Sequence, residues 1–403
     1  MNWPDWLTHG RRLDSHLNFT CETRLCNRNI PTRDQWRCDD LGVIARELGR
    51  RGHTVTVYRP WRPDLPSATS HPEYLEVPLP GLPIPGYGLL RLGLPARWRL
   101  KGLWRNSPPD LVHAVTEGPL GASAVTAARG LRLPVTSSFH TNFHAYTRHY
   151  GFAPLRPITL AWLRHVHNRT LRTFAPTEEL CQELASLGFT KLGVLSRGVD
   201  TRQFSPGLRS HALRAGWGVT NGEVVLLHVG RMAAEKNFPL LFDAYAAMRA
   251  VRPNLRFVLV GDGPLRPALQ AAHPECIFTG FISRDALACH YASADVYVHA
   301  SLTETFGNVL TEAMASGLAT AGFDYAAARQ FVRHGENGLS VPVSEPGALV
   351  AAATELARND ALRTRLRTAA TATFTGQSWE TIVTRFETDL AALIAAALRC
   401  QRS

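Results

Sequence analysis

Two carboxylates, Glu304 and Glu312, stand eight residues apart within residues 301–319, SLTETFGNVLTEAMASGLA. A carboxylate accepts hydrogen bonds from hydroxyls, and two of them flanking a loop suit a polyhydroxylated ligand. Between them lies Phe306-Gly307-Asn308, followed by Val309, a small and flexible patch at the expected start of a helix. Gly307 would let backbone approach a ligand closely. The preceding letters, Asp295-Val296-Tyr297-Val298-His299, alternate and are rich in β-branched and aromatic residues, the pattern of a buried strand. A strand, a loop and a helix start together place free N–H groups and a positive dipole end at the strand's carboxyl end, where an anion binds. In this arrangement Glu304 serves hydroxyls from the loop, and Glu312 serves a diol such as a ribose from inside the helix. The same letters also suit an ordinary strand–loop–helix with solvated acids.

Three more loops follow apolar strands in the second half of the chain. Gly230-Arg231 leads to Lys236, two cations five residues apart that could both reach a diphosphate, Arg as a fork and Lys as a point charge. Gly261-Asp262-Gly263-Pro264 is a tight turn, and Gly280-Phe281 offers backbone groups and an aromatic wall for a nucleobase. Loops leaving the carboxyl ends of parallel strands converge on one crevice. Cations, glycine turns and two acids together describe a nucleotide-sugar site. No Asp-x-Asp occurs, which argues against a metal bridge. In the first half, His140 follows directly on a strand end, where an imidazole could hydrogen-bond a reacting sugar. His144 and His149 nearby read as structural.

The elements that must position these groups alternate along the chain. A helix beginning near Leu41 and ending at Gly52 precedes a strand over 54–58. Residues 60–109 are rich in Pro and Gly and read as loops with short elements. Strands follow over 111–115, 134–138, 172–175 and 192–195, with helices over 121–129 and 157–170, and Thr177 caps a further helix. After a polar linker at about 201–221 the alternation restarts, with strands over 224–229, 257–260, 276–279, 296–299 and 339–341. Alternating strands and helices predict an α/β chain of two Rossmann-like, doubly wound parallel-sheet domains facing a cleft. The expected divisions are a leader over 1–38, a first domain over 39–200, a second over 201–378, and a helix over 379–403 that packs back on the first.

Composition narrows the partners. The chain has 403 residues and a net charge of +11. Residues 1–200 carry 25 basic and 16 acidic side chains, against 19 and 17 in the remainder. The first half therefore holds nearly all the positive field, which suits an anionic membrane surface or phosphorylated substrates. An arginine-rich coding preference accounts for the same excess. Nucleic acid is disfavoured, because no basic run interleaved with aromatics appears. Seven cysteines without a regular framework, and no signal peptide, predict a reduced cytoplasmic protein. The apolar run over 390–398 is too short to span a bilayer.

The motifs GRMAAEKN, VGDGP, FTGF, ETFGNVLTEAMASG, SSFHTNFHAY and RGVD resemble those of the family 4 retaining glycosyltransferases of the GT-B fold. The resemblance is greatest to GDP-mannose-dependent α-mannosyltransferases and sulfoquinovosyl-diacylglycerol synthases, and it covers residues 41–398. It implies that Arg231 and Lys236 neutralise a donor diphosphate. Glu304 would hold the donor sugar, and the backbone of Phe306, Gly307, Asn308 and Val309 would line sugar and phosphate. Glu312 would bind the ribose, Phe281 would flank the base, and His140 would contact the sugar near the reacting centre. It further implies hexose transfer with retention, most simply mannose from GDP-mannose, to a lipid-linked or glycan acceptor. No metal and no separate cofactor are expected, and the protein would sit peripherally on the inner face of the plasma membrane.

The chain departs from that family at its start. Residues 1–38 show neither an apolar strand of normal length nor a glycine loop before the helix at Leu41, and Asp39 and Asp40 stand where an anion would sit. The segment is therefore expected to be irregular and the transferase weak or inactive. Two competing readings stay open: a sugar-nucleotide epimerase of the same fold, and a non-catalytic member that binds sugar nucleotide.

Overall fold

A computed structural model of the chain describes residues 16–20, 40–61, 69–84, 87–139, 156–219, 222–301, 304 and 306–402. Two sheets account for most of the strands. The first comprises β1 (His16–Thr20), β2 (Thr54–Pro60), β3 (Thr69–Ser70), β4 (Leu75–Leu79), β7 (Leu111–Ala114), β8 (Val135–Ser138), β9 (Thr173–Ala175) and β10 (Leu192–Val194), in the order β10-β9-β8-β7-β1-β2-β4-β3. Its strands are parallel except for β3, which pairs antiparallel with β4 at the edge. A hairpin of β5 (Gly81–Ile84) and β6 (Tyr87–Gly93) forms a small sheet of its own. The second sheet comprises β11 (Val225–Val229), β12 (Arg256–Val260), β13 (Ile277–Gly280), β14 (Val296–His299), β15 (Ala319–Phe323) and β16 (Leu339–Val341), all parallel, in the order β13-β12-β11-β14-β15-β16.

Both orders reverse at one strand. Chain order runs outward from β11 through β12 and β13 on one side, then restarts at β14 on the other. The loops after β11 and β14 therefore part in opposite directions, which opens a crevice at their carboxyl ends. Alternate residues of β11 face two cores. Leu226 joins the cluster beneath the helix Phe238–Val251, while Val225, Leu227 and Val229 join the cluster holding Phe306 and Leu310. A strand covered on both faces is buried along its whole length.

The helix Asp40–Arg50 buries Leu41, Ile44, Ala45 and Leu48, one face at helical spacing, as the sequence pattern requires. It packs in one cluster with Ile382, Val383, Phe386 and Leu390 of the terminal helix Trp379–Arg402. Phe386 stands edge-on to His113 at 5.4 Å and to Phe174 at 5.1 Å, both in the first sheet. Glu387 of the same helix accepts from Arg51 at 2.7 Å and meets the His53 ring at 2.8 Å. The last helix thus crosses back onto the first sheet.

Several expectations need correction. Residues 1–38 do contain a strand: β1 is central, paired in parallel with β2 on one side and β7 on the other. Its five letters, HLNFT, alternate instead of running apolar. Five residues is an ordinary strand length, and the alternation lacks the near-continuous apolar run by which a central parallel strand is usually recognised. The expectation of an impaired enzyme rested on a missing first strand, a missing glycine loop and the acids Asp39 and Asp40; β1 removes the first of these grounds, and the stretch where the loop was sought lies outside the described residues. Residues 60–109 carry more order than a loop region, including the ten-residue helix Arg97–Asn106. The linker at 201–221 contains the helix His211–Gly216, capped by Ser210. Finally, β15 went unread. Its letters, ATAGF, are small because the strand is fully buried between β14 and β16. A Cβ on Gly322 would already lie 3.2 Å from the His299 Cβ.

Candidate active site

The site grows from the carboxyl ends of β11, β12, β13 and β14. After β11 the backbone turns at Gly230, whose N–H bonds the Val260 carbonyl at 3.0 Å, and passes Arg231 and Lys236 before the helix Phe238–Val251. The loop after β12 is fastened to it: Met232 N–H donates to the Asp262 carbonyl at 2.8 Å, and the Met232 carbonyl accepts from Leu265 N–H at 3.0 Å. Gly263 is required there, because a Cβ would fall 2.4 Å from the Met232 oxygen. After β14, residues 301–307 lead into the helix Asn308–Ala315 through Gly307 at φ +97°, a left-handed turn that glycine adopts without strain.

These loops meet at one carboxylate. Lys236 Nζ donates to Glu304 Oε1 in an ion pair, and His299 Nε2 stands 3.9 Å from the same oxygen. Burial pushes the Glu304 carboxyl up, but Lys236 and His299 outweigh it, and its pKa lies below the usual value. His299 is held down to about 4, first by burial and then by Lys236, with Glu304 pulling the other way. Ser301 Oγ donates to the Glu235 carbonyl at 3.2 Å, and Tyr325, from the loop after β15, donates its hydroxyl to the Ser301 carbonyl at 2.8 Å. Arg231 lies beside them, its guanidinium 3.7 Å from Glu235.

The remaining sequence-predicted residues fall as follows. Asn308 opens its helix, and its Oδ1 accepts from Arg197 at 3.3 Å. Arg197 belongs to the RGVD motif that follows the first sheet, and its guanidinium also lies over the Phe306 ring at 5.6 Å. The Phe306 side chain is buried in the core, so only its backbone can face a ligand; Val309 is half-buried against the same core. Glu312 is held by Tyr291, whose buried hydroxyl donates to Oε2 at 3.0 Å. Phe281 follows β13 with 45% of its surface exposed, a ring free to cover a flat ligand. His140 lies outside the described residues, as do His144 and His149. The structure thus brings Arg231, Lys236, Glu304, Gly307 and Asn308 together around one crevice, with Glu312 on the same helix as Asn308.

Sequence reasoning missed His228, His299, Tyr291 and Tyr325. A signal existed for the first two. Each is a polar residue at the carboxyl end of an otherwise apolar strand beside the point where strand order reverses. Nothing in the sequence marks Tyr291 or Tyr325, because their partners come from other elements.

The chain matches two family models, described as "Glycosyltransferase Family 4" over residues 42–203 and "Glycosyl transferases group 1" over residues 223–359. It is 32% identical over 357 residues to a GDP-mannose-dependent alpha-mannosyltransferase of Corynebacterium glutamicum, covering 88% of this chain and 85% of that protein. It is 28% identical over 318 residues to an alpha-monoglucosyldiacylglycerol synthase of Acholeplasma laidlawii, covering 73% and 78%. Among solved structures it superposes on a sucrose-phosphate synthase from Thermosynechococcus elongatus with a TM-score of 0.75 at 17% identity, covering 95% of this chain and all of that one.

Proposed function

The chain belongs to the family 4 glycosyltransferases of the GT-B fold and is a hexosyltransferase, and from that footing we propose that it moves mannose from GDP-mannose to a lipid acceptor at an anionic membrane surface. The observation that carries this reading is the Lys236–Glu304 pair, which sets a cation for phosphate against a carboxylate for sugar hydroxyls, with Arg231 alongside. In this reading Arg231 and Lys236 take the charge that collects on the diphosphate as the bond to the sugar's anomeric carbon breaks. Charge-assisted bonds are the strong ones, and a site built in advance loses nothing to reorganisation. Glu304 and the amides of the Gly307-Asn308 turn orient the sugar, Glu312 takes the ribose hydroxyls, and Phe281 covers the base. An acceptor hydroxyl, entering from the side of the first sheet, forms the new bond to the anomeric carbon while its proton passes to the departing diphosphate oxygen. Mannose and guanine are supported by the mannosyltransferase relative, and a lipid acceptor by the diacylglycerol-linked one.

A surface on the first half supports the membrane partner. The helix Arg97–Asn106 carries Arg97, Arg99, Lys101 and Arg105 and no acid. Its Trp98 is 74% exposed and its Leu103 is exposed too, with Arg97 5.0 Å and Lys101 5.9 Å from the Trp98 ring centroid. Leu82 and Leu92, paired across the strands of the hairpin that precedes this helix in the chain, are exposed as well. Basic side chains around an exposed tryptophan match the boundary between anionic headgroups and acyl chains. Among the described residues no helix is long and apolar enough to cross a membrane.

The test is calorimetric titration with GDP-mannose and with UDP-glucose, followed by transfer assays on anionic vesicles containing diacylglycerol or its monoglycosylated form. Tighter binding of GDP-mannose and a mannosylated lipid product are expected. Preference for the uridine donor, or product formed only on soluble glycans, would overturn the assignment.

A further inference from the structure

We propose that His228 is a third phosphate-binding group of the donor site, an N–H donor set beneath Gly230 and beside Lys236. The inference rests on the reading of Arg231 and Lys236 as the diphosphate cradle. His228 is the next-to-last residue of β11, on the strand face that looks toward the helix Phe238–Val251. Its ring is 5% exposed and stands edge-on to Phe238 at 4.9 Å. Its Nε2 is buried and has no hydrogen-bond partner. A neutral imidazole carries one donor and one acceptor, and leaving either unpaired in a core is unfavourable. A phenylalanine would fill the same place against Phe238 without that penalty.

The space beside that nitrogen explains the imidazole. Gly230 has φ +149°, and a Cβ built on it would lie 3.6 Å from His228 Nε2 and 3.7 Å from Lys236 Cε. The glycine therefore leaves a gap between the imidazole and the lysine, open where a side chain would close it. Arg231 Nε, one residue on, is likewise buried without a partner. Two unpaired nitrogens and the Lys236 stem thus surround the same turn. Donors that lack acceptors inside a protein, gathered at the carboxyl end of a central strand, point to an oxygen-rich anion.

The titratable groups facing His228 are Lys236, His299 and Glu304. Burial, then Lys236 and His299, push its pKa down to about 3, while Glu304 pulls it upward. The imidazole therefore stays neutral at pH 7, and its single N–H is free to sit on Nε2 when an acceptor arrives. A phosphate oxygen accepts that hydrogen, and a ligand without phosphate gains nothing from it. His228 is thereby a group that senses phosphate and not base or sugar.

The experiment uses inorganic pyrophosphate, GDP and guanosine as probes, titrated against the full chain and two variants. His228→Phe keeps the ring and its contact with Phe238 but removes the donor. His228→Gln restores an N–H at similar reach. In His228→Phe, pyrophosphate and GDP are expected to bind about tenfold more weakly, guanosine is expected to bind as in the parent, and thermal stability should hold or rise. In His228→Gln most of the phosphate affinity should return. Parental pyrophosphate affinity in a folded His228→Phe protein overturns the proposal, as does an equal loss for guanosine, which would mark a packing role. If the parent binds no pyrophosphate, the diphosphate cradle itself fails and this proposal falls with it. If the parent binds pyrophosphate and His228→Phe does so equally well, only the role of His228 fails.

Discussion

Replacing Lys236 with methionine probes both halves of the central pair at once. The stem length is kept, so packing changes little, while the cation that faces Glu304 disappears. Two effects follow. A charge-assisted bond to the donor diphosphate is lost, worth about 1.5–3 kcal/mol, so GDP should bind ten- to a hundredfold more weakly. The second effect is on stability. Lys236 and Glu304 side chains retain only 17% and 14% of their exposure, so the pair behaves as a buried one, and removing one partner costs about 3 kcal/mol at neutral pH. In the parent, Glu304 is held below its unfolded value, so its contribution is complete at neutral pH and is lost as pH falls through the folded pKa. In the variant, burial acts on Glu304 without the lysine, its folded pKa rises above the unfolded one, and stability is lost as pH increases. His299, depressed in part by Lys236, moves the same way. The deficit of the variant should therefore shrink between pH 7 and pH 5. Urea unfolding of both proteins at the two pH values, with GDP titrations at pH 7, measures it. An identical deficit at both pH values together with parental GDP affinity would refute the reasoning.

Two further substitutions test parts of the molecule away from the crevice. Asp295, at the amino end of β14, accepts from Arg209 at 2.7 Å, Arg214 at 2.8 Å, Arg367 at 3.2 Å and the Val225 amide at 2.9 Å. Asp295→Ala leaves three guanidiniums facing one another and should destabilise the protein by about 3–5 kcal/mol in urea unfolding; a loss under 1 kcal/mol would show the cluster to be solvated. The Trp98→Ser, Arg99→Glu double variant should bind anionic vesicles several-fold more weakly than the parent, and parental binding should itself weaken as salt rises, at about 1 kcal/mol per basic residue near the surface. Co-sedimentation that is indifferent to both salt and substitution would remove this helix from the membrane contact.

What could be read in the letters, and what could not, divides along physical lines. The helix Asp40–Arg50, the Thr177 cap and the strands of the second sheet other than β15 were legible because each is written locally, as an apolar period or as a side chain three residues from the amide it bonds. The loops carrying Arg231, Lys236 and Glu304 were legible because glycine and charge follow apolar strands directly. Strands β1 and β15 were not. Each is five residues long and lacks the β-branched run by which a strand is recognised: β1 alternates, and β15 is made mostly of small residues. Tyr291 was invisible as a clamp for the same reason that Arg197 was invisible as a reader of Asn308: the partners lie 21 and 111 residues away.

That last contact carries the argument across the molecule. The second half presents two helix starts toward the crevice, at Asn308 and at Ala326, and the first half reaches both. Arg197 meets the Asn308 side chain, while Glu179 accepts from the Ala326 amide at 3.1 Å and from Arg329. Ala326 sits at φ +52°, a conformation that disfavours a side chain, and its amide is one of the donors that a helix start leaves without a partner inside the helix. A carboxylate on that amide satisfies the donor and complements the helix dipole. The partner comes from an element next to β9 and β10, not from the helix's own cap residue. The same segment supplies Tyr325, which holds Ser301 three residues before Glu304. The position of the central carboxylate is therefore linked, through Tyr325 and its neighbour Ala326, to a helix residue beside the opposite sheet.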